Sequence, residues 1–331
     1  MIVIVGGSGF LGSKLIEILD PTNCKNIDKN PSPFFNDQTT IGNIQNKEQI
    51  IFPKNTKTVV LLAAEHRDDV SPVSLYYDVN VKGTQNVLEK MDEHGIKHLV
   101  FTSSVAIYGL NKNNPDENHP ADPFNHYGKS KYQAEQVIRK WFDKDPIGKT
   151  VSIIRPTVIF GERNRGNVYN LFKQISSGNF VMVGDGKNKK SMAYVGNVVA
   201  FIKNLIEKSK EGYYIFNYVD KPDLTMNELV ALIENKMSIS IPKVKIPFVV
   251  GLLAGYCFDF YAKISGNKLS ISSVRVKKFC ATTQFRSTKL NSKFEIPHSL
   301  EEGLIKTLEF DFINSKKNII TKPKSTTISR G

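Results

Sequence analysis

This sequence is poor in the materials for disulfides, a secretory leader or a membrane span. It has three cysteines, Cys24, Cys257 and Cys280, with no CxxC pair and no metal-ligand spacing. That excludes a disulfide framework and points to reduced thiols in a cytosolic compartment. The opening run MIVIVGG enters an apolar strand with no basic stretch or cleavage site, so no signal peptide is expected. The most apolar segment, IPFVVGLLAGYCF (246–258), ends after 13 residues at Asp259. A bilayer span needs about 20. No internal repeat occurs, and neither a zinc-finger pattern nor an aromatic-rich RNA signature is found; nucleic acid is not an expected partner.

What is present divides unevenly. Of 331 residues, 40% are hydrophobic and 23% charged, as in an ordinary globular protein. Residues 1–150 carry 17 Lys and Arg against 18 Asp and Glu, whereas 151–331 carry 28 against 14. The whole excess of +13 therefore belongs to the second half, which suggests an anionic lipid surface or a phosphorylated ligand there. The stretch 246–268, strongly apolar with Lys263 and Lys268 behind it, reads either as a helix lying at a membrane interface or as a buried helix.

In MIVIVGGSGFLGSKLIEIL an apolar run is followed by Gly6, Gly9 and Gly12 and then by helical periodicity. A strand, a glycine turn and a helix start bring backbone amides and a positive helix end to a pyrophosphate. Asp28, 16 residues past Gly12, stands where a carboxylate binds the adenosine ribose. It would repel a 2′-phosphate, which favours NAD over NADP, although Lys29 follows it. Further apolar runs, TVVLLAA (58–64) and HLVFTSS (98–104), enclose the helical stretch DVNVKGTQNVLEKMDEHG. This alternation predicts an α/β fold, a Rossmann-type doubly wound parallel sheet. In HYGKSKYQAEQVI (126–138), Tyr127 and Lys131 are four apart on one helix face. A cation there stabilises a phenolate and lowers a pKa of about 10, making the tyrosine a base.

GGSGFLG, LLAA, NVKGTQNVL, FTSSVAIYG, YGKSK and IIRPTVIFG, in that order, resemble the extended short-chain dehydrogenase/reductases, in the nucleotide-sugar epimerase and dehydratase branch, over about residues 1–312. The resemblance implies Tyr127 as catalytic base and acid, Lys131 as its partner and ribose ligand, and Ser104 bonded to the reacting hydroxyl. It implies NAD held by Gly6, Gly9, Phe10, Leu11, Gly12, Asp28, Asn43, Ala63, Ala64, Asn80, Tyr127 and Lys131, and no metal. Asn43 stands in place of an acid near adenine, Lys190 in place of an arginine, and Asn197 where Asp is common. The acidic pair that dehydratases carry after the catalytic hydroxyl is here Val105 and Ala106, which cannot transfer protons, so epimerisation is expected. A dinucleotide sensor without catalysis would tend to lose the Tyr/Lys pair, which this chain keeps.

AAEHRDDVSPVSLYYDVN, NPDENHPADPFNHYGKSK, FGERNRGNVYNLFKQI and SSVRVKKFCATTQF are similar to a bacterial subgroup of 4-epimerases that act on N-acetylglucosamine linked to undecaprenyl diphosphate, for surface-polysaccharide (O-antigen) assembly. That implies a lipid-linked sugar diphosphate as substrate, a cytoplasmic protein at the inner face of the membrane, an anionic membrane surface as partner, and allows a homodimer. Glu65, His66 and Arg67 would shape the sugar pocket, and Arg163, Arg165, Lys190 and Arg275 would meet the diphosphate. The alternative is a 4-epimerase of free UDP-sugars. Residues 1–160 with 192–218 are expected to form the cofactor domain, 161–191 with 219–312 a smaller α/β substrate domain, and 313–331 a basic, disordered tail.

Overall fold

Short, wholly apolar strands are what a sheet covered on both faces requires. The computed structural model describes residues 1–67, 70–110, 112–178, 180–266, 272–290 and 294–314. Strands β1 (Ile2–Val5), β2 (Cys24–Asp28), β3 (Thr39–Ile41), β4 (Thr58–Leu61), β5 (His98–Thr102), β6 (Thr150–Pro156) and β10 (Gly212–Tyr218) form one parallel sheet. Its order is β10-β6-β5-β4-β1-β2-β3. The direction of winding reverses between β1 and β4, and in such sheets ligands lie at the carboxyl ends of the strands at that point. The expected α/β doubly wound fold is present.

The chain forms two compact units: Met1–Ile159 with Ser191–Asp223 and Thr283–Ser299, and Phe160–Lys190 with Leu224–Thr282 and the piece that starts at Leu300. Strands β7 (Val158–Phe160), β9 (Lys189–Tyr194) and β11 (Asp220–Thr225) lie where the chain passes from one to the other. In the first unit α1 (Phe10–Leu19) packs on α6 (Val195–Lys208), and α3 (Thr84–Glu93) packs on α4 (His126–Lys144). Val3, Val5, Val59, Leu61, Leu99 and Phe101 share a core with Leu88 and Met91 of α3 and Ile138 and Trp141 of α4. Ile4, Val60 and Val100 are equally buried and, by strand alternation, face the other way.

The helix read from DVNVKGTQNVLEKMDEHG is not regular throughout. Helix α2 (Ser74–Tyr77) runs into a π-helical segment, Asp78–Gly83, before α3 begins. The Thr84 hydroxyl donates to the Asn80 carbonyl at 2.7 Å, and the Asn80 side chain is committed to bonds outside the helix. Such widened turns recur at functional sites.

In the second unit α5 (Asn167–Ser176) and α10 (Leu300–Leu308) pack on α7 (Met226–Met237), and α8 (Phe248–Ser265) packs on α9 (Ser273–Cys280). Strand β8 (Met182–Val183) pairs in parallel with β12 (Lys245–Ile246). The apolar stretch at 246–258 was expected to be too short to span a bilayer. From Phe248 onward it belongs to an 18-residue helix, α8, which among the described residues is the one helix long and apolar enough to cross a membrane. Asp259 does not end it, because its carboxylate is turned onto the Ser273 amide. Nor is it buried, as the alternative reading had it: only Gly251 and Gly255 are.

Two boundaries differ from the sequence reading. A π-helical turn, Glu309–Ile313, carries helical structure past 312, while the tail residues 315–331 lie outside the described residues, as do Lys268, Asp68 and Asp69. Thr283–Ser299 belongs to the first unit rather than to a continuous 219–312 block. Glu117 is the reason: its buried carboxylate accepts the Ser287 hydroxyl at 2.8 Å and the Thr288 amide and hydroxyl at 2.9 and 2.7 Å. Asn197 adds a second tie, donating to the His298 carbonyl at 2.8 Å and accepting its amide at 3.0 Å. An aspartate at 197 could not make the first of these bonds.

Glu117→Ala strands those donors in a buried place. Denaturant unfolding should show a loss of about 3 kcal/mol or more; a loss under about 1 kcal/mol, the scale of a surface substitution, would contradict this role.

Candidate active site

The glycine turn after β1 is shaped by contact. Gly6 has φ +92°, and a Cβ there would meet the Ala63 amide nitrogen at 2.4 Å. A Cβ on Gly12 would lie 2.4 Å from Gly7 Cα, so α1 starts tightly against the turn. At Gly9 a Cβ would find only the Gly6 carbonyl, at 3.7 Å. Helix α1 has no side-chain cap and no acidic residue in its first turn. Its first amides therefore remain open to an anion, and an approaching diphosphate meets little steric obstruction.

Asp28, at the end of β2, accepts the Ser8 amide at 3.0 Å and the Asn30 amide at 2.9 Å. A carboxylate has about four acceptor sites, so capacity remains for ribose hydroxyls. Asn26, unremarked in the sequence, accepts from Gly7 at 2.7 Å and donates to the Ser8 and Thr39 hydroxyls, both at 3.0 Å. It fixes the turn from below. Asn43 follows β3 and is half-occupied: its Oδ1 accepts the Gln45 amide and its Nδ2 donates to the Gln45 side chain. Phe10 and Leu11 open α1, and Ala63 and Ala64 follow β4, with Ala63 donating to the Val5 carbonyl at 2.8 Å. These features fit a dinucleotide.

The tyrosine and lysine lie in α4, whose start is capped by Asn125 accepting the Gly128 amide at 2.8 Å. A Cβ on Gly128 would be 2.5 Å from the Ala106 carbonyl, so only glycine lets this helix start so close to the turn after β5. That turn begins at Ser104, whose Oγ accepts the Ala106 amide at 3.1 Å and keeps its own proton to donate. The same close approach brings the Tyr127 and Ser104 segments together. Beside it, the Ser103 hydroxyl is buried with no hydrogen-bond partner among the described residues. Such an orphan costs about 1–3 kcal/mol, which a bound polar group would relieve.

Asn80 joins three segments. Its Oδ1 accepts the Glu65 amide at 2.8 Å, and its Nδ2 donates to the Glu65 carbonyl at 2.9 Å and the Ser130 hydroxyl at 2.8 Å. The chain after β4 is thereby pinned to α4 one residue before Lys131. Glu65 itself is buried and takes Arg67 Nε at 3.3 Å, whereas His66 and Arg67 are exposed. His119 bonds the Pro120 carbonyl through Nδ1, and His126 pairs with the Tyr77 hydroxyl at 2.9 Å.

Lys131 is 2% exposed, with its ammonium 4.3 Å from the centre of the Phe101 ring. Burial pulls its pKa down from 10.5 to about 7, opposed by the Glu135 carboxylate. An ammonium so near to losing its proton gains from any adjacent anion; removing the phenolic proton and keeping the lysine charged are favoured together. Glu135 is in turn held by Arg155 in a buried fork, at 3.0 and 2.6 Å. Arg155 also donates to the Tyr108 hydroxyl at 2.8 Å, which donates to Asn217 at 2.7 Å. Glu135, Arg155 and Asn217 were missed by sequence reasoning. Two signals existed: Glu135 stands four after Lys131, and Arg155 interrupts an apolar strand.

The diphosphate candidates lie in the second unit. Lys190 donates to the Lys278 and Ala281 carbonyls at 2.8 and 2.5 Å, at the end of α9, and burial pulls its pKa to about 8. Arg165 bonds Asp311 at 2.8 Å and stacks on Tyr169. Arg163, with φ +71°, sits over Phe310, and Arg275 is exposed on α9.

Residues 2–217 match the model of the NAD dependent epimerase/dehydratase family, and the chain belongs to that family. It is 57% identical to the N-acetyl-α-D-glucosaminyl-diphospho-ditrans,octacis-undecaprenol 4-epimerase of Escherichia coli O157:H7, over 97% of this chain and 98% of that one. It is 27% identical to a UDP-glucose 4-epimerase of Vibrio cholerae, over 93% and 94%. In fold it resembles the UDP-glucose 4-epimerase of Thermotoga maritima solved with UDP-glucose, with TM-score 0.73, 22% identity and 96% and 99% coverage.

Lys131→Met should abolish sugar turnover yet stabilise the cofactor-free protein. Between about pH 7 and 10.5 the unfolded lysine is protonated while the folded one is not, so wild-type stability rises with pH there. The variant's advantage should be greatest below pH 7 and vanish near 10.5. Parallel melting curves showing the same pH slope for both proteins would contradict a depressed lysine.

Proposed function

We propose that this protein is an NAD-dependent 4-epimerase that interconverts N-acetylglucosamine and N-acetylgalactosamine on undecaprenyl diphosphate, in O-antigen assembly. The observation that carries this reading is the 57% identity to the E. coli enzyme over nearly all of both chains. The catalytic positions Tyr127, Lys131 and Ser104 lie on one helix start and the adjoining turn.

When bound, NAD supplies a reversible acceptor for the C4 hydrogen and its electron pair. Tyr127 takes the proton of the 4-hydroxyl and later returns it to the same oxygen. Ser104 donates a hydrogen bond to that oxygen, and Lys131 holds positive charge beside the phenolate. The 4-keto sugar turns over between the two half-reactions, so no net oxidation results. The protein must grip the diphosphate while leaving the ring free to rotate, a matter of positioning rather than of additional acid or base groups. Val105 and Ala106 next to Ser104 supply no proton, which supports epimerisation over loss of water.

We assign cofactor binding to the first unit and the sugar diphosphate to residues of the second. Lys190 already spends its ammonium on helix carbonyls, which weighs against it as a phosphate ligand. An undecaprenyl carrier places the enzyme peripherally at the cytoplasmic face of the membrane, where each basic residue contributes on the order of 1 kcal/mol of attraction to anionic lipid.

The test offers purified protein UDP-N-acetylglucosamine and undecaprenyl-diphospho-N-acetylglucosamine in parallel, followed by hydrolysis and separation of the amino sugars. Galactosamine is expected from the lipid-linked substrate. Turnover of the UDP-sugar alone would replace this reading with a soluble nucleotide-sugar epimerase. Tyr127→Phe should lower turnover by at least about 100-fold, the scale of a lost acid–base group. NAD binding should persist, because the glycine turn is untouched; retained turnover would remove Tyr127 from the chemistry.

A further inference from the structure

A helix facing water ordinarily carries one apolar stripe and one polar face. Helix α8, FVVGLLAGYCFDFYAKIS, is apolar on nearly every side, with Asp259 and Lys263 its only charges. Gly251, Gly255 and Asp259 recur at every fourth position and form one stripe. A Cβ on Gly251 would come within 2.5 Å of Val183, and one on Gly255 within 2.8 Å of the Ser273 backbone. Asp259 accepts the Ser273 amide at 3.1 Å, at the start of α9, where a negative charge is favoured. The only acid of the helix is thereby turned inward. The opposite stripe, Val249, Leu253, Phe260 and Ile264, is 63, 61, 67 and 71% exposed.

The charges that the flanking segments carry are basic, although Asp185 approaches this region, where Lys245 donates to its carbonyl at 2.8 Å. Lys243 and Lys245 precede the helix, Lys263 lies near its end, and α9 presents Arg275, Lys277 and Lys278; all are exposed. Lys277 reaches the Tyr256 hydroxyl at 3.0 Å, so the basic rim adjoins the apolar stripe directly. Among the described residues of 241–282 no acid besides Asp259 is present.

We infer that α8 lies in the interface of an anionic bilayer, with the stripe from Val249 to Ile264 among the upper acyl chains and the lysines and Arg275 at the headgroups. Burying that stripe satisfies the apolar surface, and the rim meets lipid phosphates. Crossing the bilayer would carry Asp259, Lys263 and the attached α9 into hydrocarbon, which charged groups resist. Pairing with a second copy about a two-fold axis would set one basic rim against another. The inference deepens the lipid-linked reading and rests on it only for the reason such a surface is needed.

Vesicle flotation of the full chain tests this, using phosphatidylglycerol-containing and pure phosphatidylcholine vesicles at low and high salt. Wild type should float with the anionic vesicles, be weakened by salt, and be released by alkaline carbonate. Leu253→Glu with Phe260→Glu should lower vesicle binding by roughly tenfold or more. Its melting temperature and its turnover of detergent-dispersed lipid-linked substrate should stay at wild-type levels, since neither side chain belongs to the site. Unchanged flotation of the double variant would overturn the inference, and carbonate-resistant binding would replace it with a span. Vesicle binding absent in a wild-type dimer that the variant dissociates would point to a second copy instead. In all these cases turnover in detergent reports separately on the proposed reaction: if wild type turns over no lipid-linked sugar, that reading fails whatever floats.

Discussion

Burying an ammonium that has no ion pair among the described residues is costly, and the first unit is arranged around that cost at Lys131. The Phe101 ring offers its face, and Glu135 opposes the loss of the proton from one helical turn away. Because Glu135 is itself buried, it needs Arg155, and Arg155 needs Tyr108 to complete its donors. Tyr108 passes the chain of bonds to Asn217, whose amide meets Glu117 at 3.0 Å. Breaking one member would leave a buried charge or donor uncompensated, the situation in which such networks lose several kcal/mol. The lysine held in this way is poised between its two protonation states, which suits a residue that must respond to a proton leaving its neighbour.

Close backbone approach does the remaining placement. Gly128 brings the start of α4 onto the Ser104 turn, and Gly6 and Gly12 bring α1 and the chain after β4 onto the end of β1. Both sites therefore depend on side chains that are missing. Asn80 and Asn26 then lock these approaches with amides that both donate and accept, which a carboxylate or an alkyl group could not do. The open amides of α1 and the Ser103 hydroxyl, which is buried without a partner among the described residues, both lie where a ligand is expected.

The basic second half serves several purposes. Lys190 acts as a cap on α9, and Arg165 is engaged with Asp311 and Tyr169. The lysines and Arg275 flanking α8 are exposed; of these Lys277 reaches Tyr256 at the edge of the apolar surface, whereas Lys245 donates to the Asp185 carbonyl. A net charge counted along the chain cannot separate these uses, because it ignores which cations are already spent on carbonyls and carboxylates.

Whatever depends on short spacings was legible in the sequence. The parallel α/β fold follows from apolar runs alternating with helical periodicity, the glycine turn from three residues within seven, and the Tyr127–Lys131 pair from one helical turn. Asp28 and Ser104 were readable as strand ends followed by polar residues. Other features have no local signature. The bond between Glu117 and Thr288 joins positions 171 apart, and it moves a whole segment into the first unit. The π-helical turn at Asn80 arises from bonds to Glu65 and Ser130, 15 and 50 positions away. The depressed pKa of Lys131 comes from burial, and the exposure of α8 comes from which face its glycines and Asp259 leave for α9. The sequence by itself determined the elements and their chemistry, because periodicity and spacing act within a few residues; only the tertiary structure decided which polar groups are desolvated and which apolar faces stay in water, because those depend on what distant segments bring beside them.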